Sequence, residues 1–142
     1  MLRQDDGTVT ADETAGEVRI PAEWDDFFAY RGRVKTSSRE QRQHPRFYLR
    51  TKAVLHIAAT IGARPVLYNQ GVIYIKDISR SGMSFLHVEQ LFPMDQVCIQ
   101  LENGRSLAVQ VNRCRKLATQ CYEVGGQFKK GQLLSETDSP RD

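Results

Sequence analysis

The pattern of apolar and polar residues divides the chain into a polar beginning, a long middle part rich in β-strand formers, and a short polar end. Seven stretches of the middle part have the length and the β-branched or aromatic content of strands, and turn residues separate them. Evenly spaced short strands are typical of a small barrel or sandwich. The predicted strands are Lys52–Ala58, Val66–Tyr68, Val72–Asp77, Met83–Val88, Gln96–Leu101, Ser106–Arg115 and Tyr122–Phe128.

The clearest alternation of apolar and polar residues lies on both sides of Asn103-Gly104. Gln96–Leu101 and Leu107–Asn112 both alternate, as strands do when one face is buried. An Asn-Gly pair favours a tight hairpin turn because both residues tolerate positive φ. The sequence therefore predicts a β-hairpin centred on this pair.

Before the strands, the chain carries apolar residues at helical spacing. Ile20, Trp24, Phe27 and Phe28 would form one apolar face, and Pro21 suits a first helical turn. A helix this short is not stable in isolation. We therefore expect a short N-terminal helix that packs on the domain, with packing on a partner protein as the alternative.

The net charge of +3 conceals a strongly uneven distribution. Residues 1–30 hold eight acidic side chains against two basic ones, whereas residues 31–52 hold eight basic side chains against Glu40 alone. A basic block of this kind predicts an anionic partner. Residues 1–16 are polar and acidic without periodicity, which is typical of disorder.

These patterns predict three parts of the chain. Residues 1–38 form an acidic disordered segment, the short helix and a basic linker, residues 39–130 form the β-domain, and residues 131–142 form a flexible tail. The N-terminus lacks the features of a signal peptide, and no apolar run approaches the roughly 20 residues that span a bilayer. Three cysteines without a CxxC pair argue against a disulfide framework or a zinc ribbon. We expect a cytoplasmic protein without membrane insertion.

The first of two candidate binding motifs is Arg42-Gln-His-Pro-Arg46, which has the form RxxxR. Pro45 disfavours a helix at this point, so the motif is expected on an extended arm. The planar guanidinium group matches phosphate oxygens, and it can also pair with O6 and N7 of guanine. Considered alone, the motif is better explained as part of a solvated basic linker, because such spacing often arises by chance.

The second motif is Asp77-Ile-Ser79-Arg-Ser-Gly82, of the form DxSxxG, at the end of a predicted strand. The Asp77 carboxylate could accept hydrogen bonds from guanine, and Ser79 offers a hydroxyl to a phosphate or a base edge. Gly82 would permit a positive φ or a close approach of a ligand to the backbone. Considered alone, this motif could be an ordinary turn stabilised by its Asp or Ser side chain. In this order, the two motifs suit a ligand that offers both phosphates and guanine edges.

The two motifs and their surroundings resemble the PilZ domain family, bacterial receptors for cyclic di-GMP. The resemblance covers roughly residues 40–128 and includes the segments Phe47-Tyr-Leu-Arg50, Met83-Ser-Phe85 and Tyr122–Phe128. It implies a mainly β fold, a six-stranded antiparallel β-barrel with the arm lying across one face. Family members often carry a C-terminal helix, for which this chain has room for only a turn or two.

The same resemblance implies the roles of individual residues. By analogy, Arg42 and Arg46 bind guanine and phosphate groups of cyclic di-GMP, Asp77 and Ser79 hold a guanine, and Gly82 shapes the turn. Arg50 forms a second RxxxR with Arg46. It receives less weight because a side chain at the start of a strand could simply be exposed on the surface without a role in binding. One nucleotide or a stacked pair both remain compatible with the sequence.

The sequence contains no triad, phosphate-binding glycine loop or metal-ligand spacing, so we expect neither an enzyme nor a bound metal or cofactor. We expect a stand-alone cyclic di-GMP effector in second-messenger signalling, such as control of motility or biofilm formation. Ligand binding would order the N-terminal arm and relay the signal to a protein partner. The alternatives are a PilZ-like adaptor that binds only protein, and a small basic barrel that binds nucleic acid. Nucleic acid is the less favoured partner because few aromatic residues are available for stacking.

Overall fold

The computed structural model describes residues 17–34 and 45–129 of the protein. Within these ranges, six antiparallel strands close into a barrel in the order β1-β2-β3-β6-β5-β4, and β4 pairs back with β1. The predicted six-stranded barrel is confirmed. The strands are β1 (Phe47–Ala59), β2 (Gln70–Ile78), β3 (Gly82–His87), β4 (Gln96–Gln100), β5 (Ser106–Ala118) and β6 (Cys121–Phe128).

One predicted strand, Val66–Tyr68, is wrong, because this stretch belongs to the connection between β1 and β2. The backbone N–H of Leu67 donates to the Glu89 carboxylate, with a shortest N–O distance of 2.9 Å. The N–H of Tyr68 donates to the same carboxylate at 3.4 Å. A side chain therefore satisfies the donors that a strand neighbour would otherwise take.

The predicted hairpin at Asn103-Gly104 is present between β4 and β5. Gly104 has a φ of +91°, and Leu101 N–H donates to the Arg105 carbonyl at 2.7 Å. Only a residue without a side chain adopts such a φ without strain, which is why the glycine falls at this position.

The barrel interior is filled by aliphatic and aromatic side chains from all six strands. Along β1, Ala53 and Leu55 are buried while Lys52 is exposed, as the two-residue period of a strand requires. Each fully buried aliphatic side chain contributes roughly 2 kcal/mol of stabilisation. The fully buried members of this core include Leu55, Ile73, Ile75, Phe85, Leu91, Ile99, Val109 and Val124.

The short N-terminal helix is present as two single turns of 3-10 helix, Ala22–Trp24 and Phe27–Ala29. Phe27 is only 1% exposed, and it packs with Leu86 and Cys121 in a second cluster on the outside of the barrel. The expectation that this segment packs on the domain is confirmed. Packing of its aromatic side chains, rather than helix propensity, fixes its conformation.

The N-terminal segment and the start of β1 are joined by backbone hydrogen bonds. Arg33 and Phe47 form an antiparallel bridge, and Val34 N–H donates to the Arg46 carbonyl at 2.9 Å. The residues on either side of 35–44 are therefore held next to each other at the start of β1. Arg42 belongs to residues 35–44 and lies outside the described part of the chain, as do the segments expected to be disordered or flexible, 1–16 and 131–142.

Candidate functional site

Asp77 lies on the outer face of β2, one residue before the strand ends. Its side chain is almost fully buried, at 3% exposure, although it belongs to the outside of the barrel. Ser84 on β3 donates its hydroxyl proton to Oδ1 of Asp77 at 2.9 Å. The other oxygen, Oδ2, lies 3.6 Å from Nη1 of Arg46 and 3.9 Å from Nζ of Lys76. One carboxylate oxygen is thus fixed by a neutral donor, and the other faces two cations.

Ser79 serves the turn between β2 and β3. Its backbone N–H donates to the Gly82 carbonyl at 2.8 Å, and its Oγ accepts the N–H groups of Ser81 and Gly82, both at 3.2 Å. This is the arrangement of a serine-stabilised turn. The hydroxyl of Ser79 also donates to the Gly82 carbonyl at 3.4 Å and lies 3.3 Å from Oγ of Ser81, so its hydrogen bonds hold the turn that follows Asp77.

Gly82 occupies the first position of β3, opposite β6. The sequence suggests that Gly82 could adopt a positive φ. Its φ is not positive, so the backbone conformation does not explain the glycine at this position. A Cβ at this position would overlap the carbonyl oxygen of Gly126. Gly82 therefore allows β3 and β6 to approach each other, and it does so at the base of the turn that carries Ser79.

Of the five residues predicted for the site, four lie in the described part of the chain. The structure brings Arg46 to Asp77, and it places Ser79 and Gly82 in the turn that follows Asp77. Arg46 is half-buried, because its backbone immediately precedes β1 and its side chain lies against β2. Arg42, the first arginine of RxxxR, lies outside the described residues.

Sequence reasoning missed an ion-pair cluster beside Asp77. Glu123 on β6 is 6% exposed, and its Oε2 accepts a hydrogen bond from Lys76 Nζ at 2.7 Å. Its Oε1 accepts from Nε and Nη2 of Arg115 at 2.9 and 2.7 Å. Burial raises the pKa of Glu123, but the hydrogen bonds and charges of the two cations outweigh it and hold the pKa below its ordinary value. In the sequence, the only signal was the two-residue alternation along β6, which places Glu123 on the outer face. Its contact with Arg115 on the neighbouring strand β5 could not be read from that pattern.

Arg50 also has a larger role than the sequence indicated. Its Nε donates to the Lys76 carbonyl and its Nη1 to the Phe27 carbonyl, both at 2.9 Å. The guanidinium carbon lies 4.3 Å from the ring centre of Phe27, and the rings of Tyr30 and Tyr48 are nearly as close. Arg50 therefore does not decorate the surface. It attaches the N-terminal segment to β1, which follows Arg46, and to β2, which contains Asp77.

A cavity of about 550 Å³ lies farther along the same outer face, between the N-terminal segment and β1 to β3. Lys52, Tyr74 and His87 are among its lining residues, and none of the predicted site residues lines it. The motif residues instead lie on the barrel surface. The N-terminal segment reaches the edge of this surface at the Arg33–Phe47 bridge.

Within residues 17–34 and 45–129, no group of three or more His, Cys, Asp or Glu side chains is arranged to hold a metal ion. Over the same ranges, no helix has the length and apolar character needed to cross a membrane.

Comparison with known proteins gives one clear result. A family model described as the PilZ domain matches residues 40–138, which is more than half of the chain. A comparison with curated proteins gives no match. The matched range includes both motifs, the whole barrel and the residues that surround Asp77.

Proposed function

The chain belongs to the PilZ domain family, whose domains generally bind cyclic di-GMP, and from this premise we propose that it is a cyclic di-GMP receptor. The proposed contacts are Arg42, Arg46, Asp77, Ser79 and Gly82. The observation that carries the proposal is the pairing of Arg46 with a nearly buried Asp77 on the barrel surface. A guanidinium and a carboxylate placed together offer complementary groups to a ligand that has both phosphates and guanine edges.

The proposed binding event is an exchange of partners at Asp77. The N1–H and 2-amino groups of a guanine take the place of Arg46 at the carboxylate, which Ser84 keeps in position. Arg46 then turns to a phosphate, whose negative charge replaces the carboxylate partner that Arg46 gives up at Asp77. Arg42 approaches the ligand from the other side as residues 35–44 close over it.

The experiment is calorimetric titration with cyclic di-GMP, with GTP as the control ligand. We expect saturable binding of cyclic di-GMP alone, and Arg46→Ala or Asp77→Ala should weaken it about ten-fold or more, because each removes a charge-assisted contact. Arg105→Ala and Glu102→Ala in the β4–β5 turn remove the same charges elsewhere and should leave affinity unchanged.

Circular dichroism separates loss of the site from loss of the fold. The variants should keep the strand spectrum of the unchanged protein, because Arg46 and Asp77 lie outside the hydrophobic core. Absence of binding by the unchanged protein would contradict the receptor function and favour an adaptor that binds only protein. Equal affinity of both variants and the unchanged protein would contradict the site.

We further propose that binding is relayed through the N-terminal segment to a protein partner. The segment is joined to the site at three places: the Arg33–Phe47 bridge, the Arg50 contacts, and Trp24, whose ring centre lies 6.0 Å from Lys76 Nζ. Closing residues 35–44 over a ligand pulls directly on Arg33 and Val34. The segment is therefore the part of the surface that changes most on binding.

Trp24 is the only tryptophan in the chain and reports on this segment. Its emission should change saturably with cyclic di-GMP, with the same affinity as the calorimetric titration. Hydrogen exchange over residues 17–34 should change over the same concentration range. Binding in the calorimeter with unchanged emission and exchange would contradict the relay and leave the receptor function in place.

A further inference from the structure

One row of residues crosses the outer face of the barrel over five strands. The cross-strand register pairs Tyr48 with Asp77, Asp77 with Ser84, Ser84 with Gly125, and Gly125 with Arg113. Arg113 is thus on the row that contains Asp77, but on β5, outside both motifs. Since neighbouring strands lie about 4.8 Å apart, the Gly125 position is about 10 Å from Asp77 along the surface.

A bulge in β5 is responsible for the direction of Arg113. Leu107, Val109 and Val111 are buried at every second position, and by this alternation residue 113 would also face inward. The pairing with β6 shifts between Val111 and Arg113, so one extra residue is accommodated on β5. The bulge turns Arg113 to the outer face, which is a common use of bulges beside binding sites.

The guanidinium of Arg113 lies flat on the backbone of Gly125. A Cβ on Gly125 would come within 2.6 Å of both Cζ and Nη1 of Arg113, and within 3.0 Å of Nη2. Because Gly125 has no side chain, the guanidinium can pack directly on the backbone at this position. One flat face of the group is covered by the strand, and the residue as a whole is exposed to solvent.

The charge of Arg113 is also available. Arg115, two residues further along the same face, is bound through two nitrogens to Glu123. In the part of the chain that the structure describes, Arg113 has no carboxylate partner. An exposed, flat and uncompensated guanidinium is suited to stack on a nucleobase.

We propose that Arg113 is a third arginine of the nucleotide site, and that its open face stacks on the guanine that Asp77 does not hold. This inference rests on the proposed binding of cyclic di-GMP, a ligand with two guanines joined through phosphates. One guanine bound at Asp77 leaves the other to extend over Ser84 and Gly125. Arg113 then fixes the far end of the ligand, while Arg46 acts at the near end.

The test is calorimetric titration of the full chain with cyclic di-GMP, comparing Arg113→Ala, Arg113→Lys and the control Lys116→Ala. Lys116 is an exposed cation on the same strand but at a position of the opposite parity. We expect a loss of ten-fold or more for Arg113→Ala, a similar loss for Arg113→Lys, which keeps the charge but not the flat face, and no change for Lys116→Ala.

Gly125→Ala provides a second variant that leaves Arg113 itself intact. The added methyl group displaces only the end of a flexible side chain, so the barrel should fold normally. We expect weaker binding here as well, because the methyl group occupies the space in which the guanidinium packs on the Gly125 backbone. Unchanged affinity in Arg113→Ala, or full affinity in Arg113→Lys, would overturn the stacking contact. Failure of the unchanged protein to bind would instead overturn the proposed function from which this inference proceeds.

Discussion

At the scale of single residues, the site depends on side chains that the two motifs do not contain. Ser84 fixes one oxygen of Asp77, and Lys76 faces the other while also binding Glu123. These neighbours hold the carboxylate in one orientation before a ligand arrives. A preorganised acceptor binds a guanine edge with a smaller loss of conformational freedom than a mobile side chain would.

Gly82 is the motif residue whose role can be tested by stability alone. Gly82→Ala should lower the free energy of unfolding by about 2 kcal/mol, because its Cβ overlaps the Gly126 carbonyl and forces β3 away from β6. Gly71→Ala is the matched control, since a Cβ on this β2 glycine meets nothing within 4 Å. Urea denaturation of the two variants measures the difference, and equal stability would contradict the packing role of Gly82.

At the scale of elements, the N-terminal segment behaves as an attached layer on the barrel rather than as a part of it. It contributes Val18 and Phe27 to the outer cluster, while the core inside the barrel is complete without it. Aromatic contacts extend this attachment, with Phe28 edge-on to Tyr74 and Tyr30 edge-on to Tyr48. Such a layer can move without unfolding the strands, which is what a relay requires.

Arg50 is the residue most responsible for this attachment. Arg50→Ala removes two hydrogen bonds to carbonyl groups and the stacking on Phe27, and it should weaken the docking of residues 17–34 by on the order of 2 kcal/mol. We expect faster hydrogen exchange in that segment and unchanged exchange in β3 to β6. Lys52→Ala removes an exposed cation from the same strand and should leave hydrogen exchange unchanged in both regions. Slow exchange of residues 17–34 in Arg50→Ala would show that the cluster around Phe27 suffices.

At the scale of the whole molecule, closure of the barrel depends on the pairing of β1 with β4 and on the loops at that end. Asp95, immediately before β4, is fully buried. Its carboxylate accepts two hydrogen bonds from Arg64, at 3.1 and 2.7 Å, and the N–H groups of Ile61 and Phe92, both at 2.8 Å. One buried carboxylate thus ties the connection after β1 to the connection before β4.

The stability of the whole barrel should depend on pH through His87. This residue is 1% exposed, neither ring nitrogen has a hydrogen-bond partner in the described part of the chain, and burial lowers its pKa to about 4. Its pKa in the unfolded chain is about 6.5, so the unfolded state binds more protons between these values. The free energy of unfolding should therefore fall as the pH drops from about 6.5 towards 4, by roughly 3 kcal/mol in total.

Urea denaturation at a series of pH values tests this dependence. His87→Leu should flatten the decrease between pH 6.5 and 4, while His56→Leu, which replaces a partly buried histidine on β1, should retain it. The same slope in His87→Leu and the unchanged protein would assign the decrease to other groups.

Local patterns in the amino-acid sequence were enough to predict the six barrel strands and the turn residues between them. Alternation at Gln96–Gln100 and the glycine of Asn103-Gly104 depend on contacts that are local in the chain, so the pattern contains them. The motif residues Asp77, Ser79 and Gly82 could be placed on one turn for the same reason. The prediction of a strand at Val66–Tyr68 was wrong because the backbone N–H groups of this stretch donate to Glu89, a residue about 20 positions away along the chain.

The side chains that meet across strands could be identified only from the folded structure. The pairing of Ser84 with Asp77, of Glu123 with Lys76, and of Arg50 with Phe27 joins residues distant in sequence. The outward direction of Arg113 depends on a single bulge against β6, which inverts the parity that the sequence pattern predicts. Register is set by the closure of all six strands together, so no local pattern contains it.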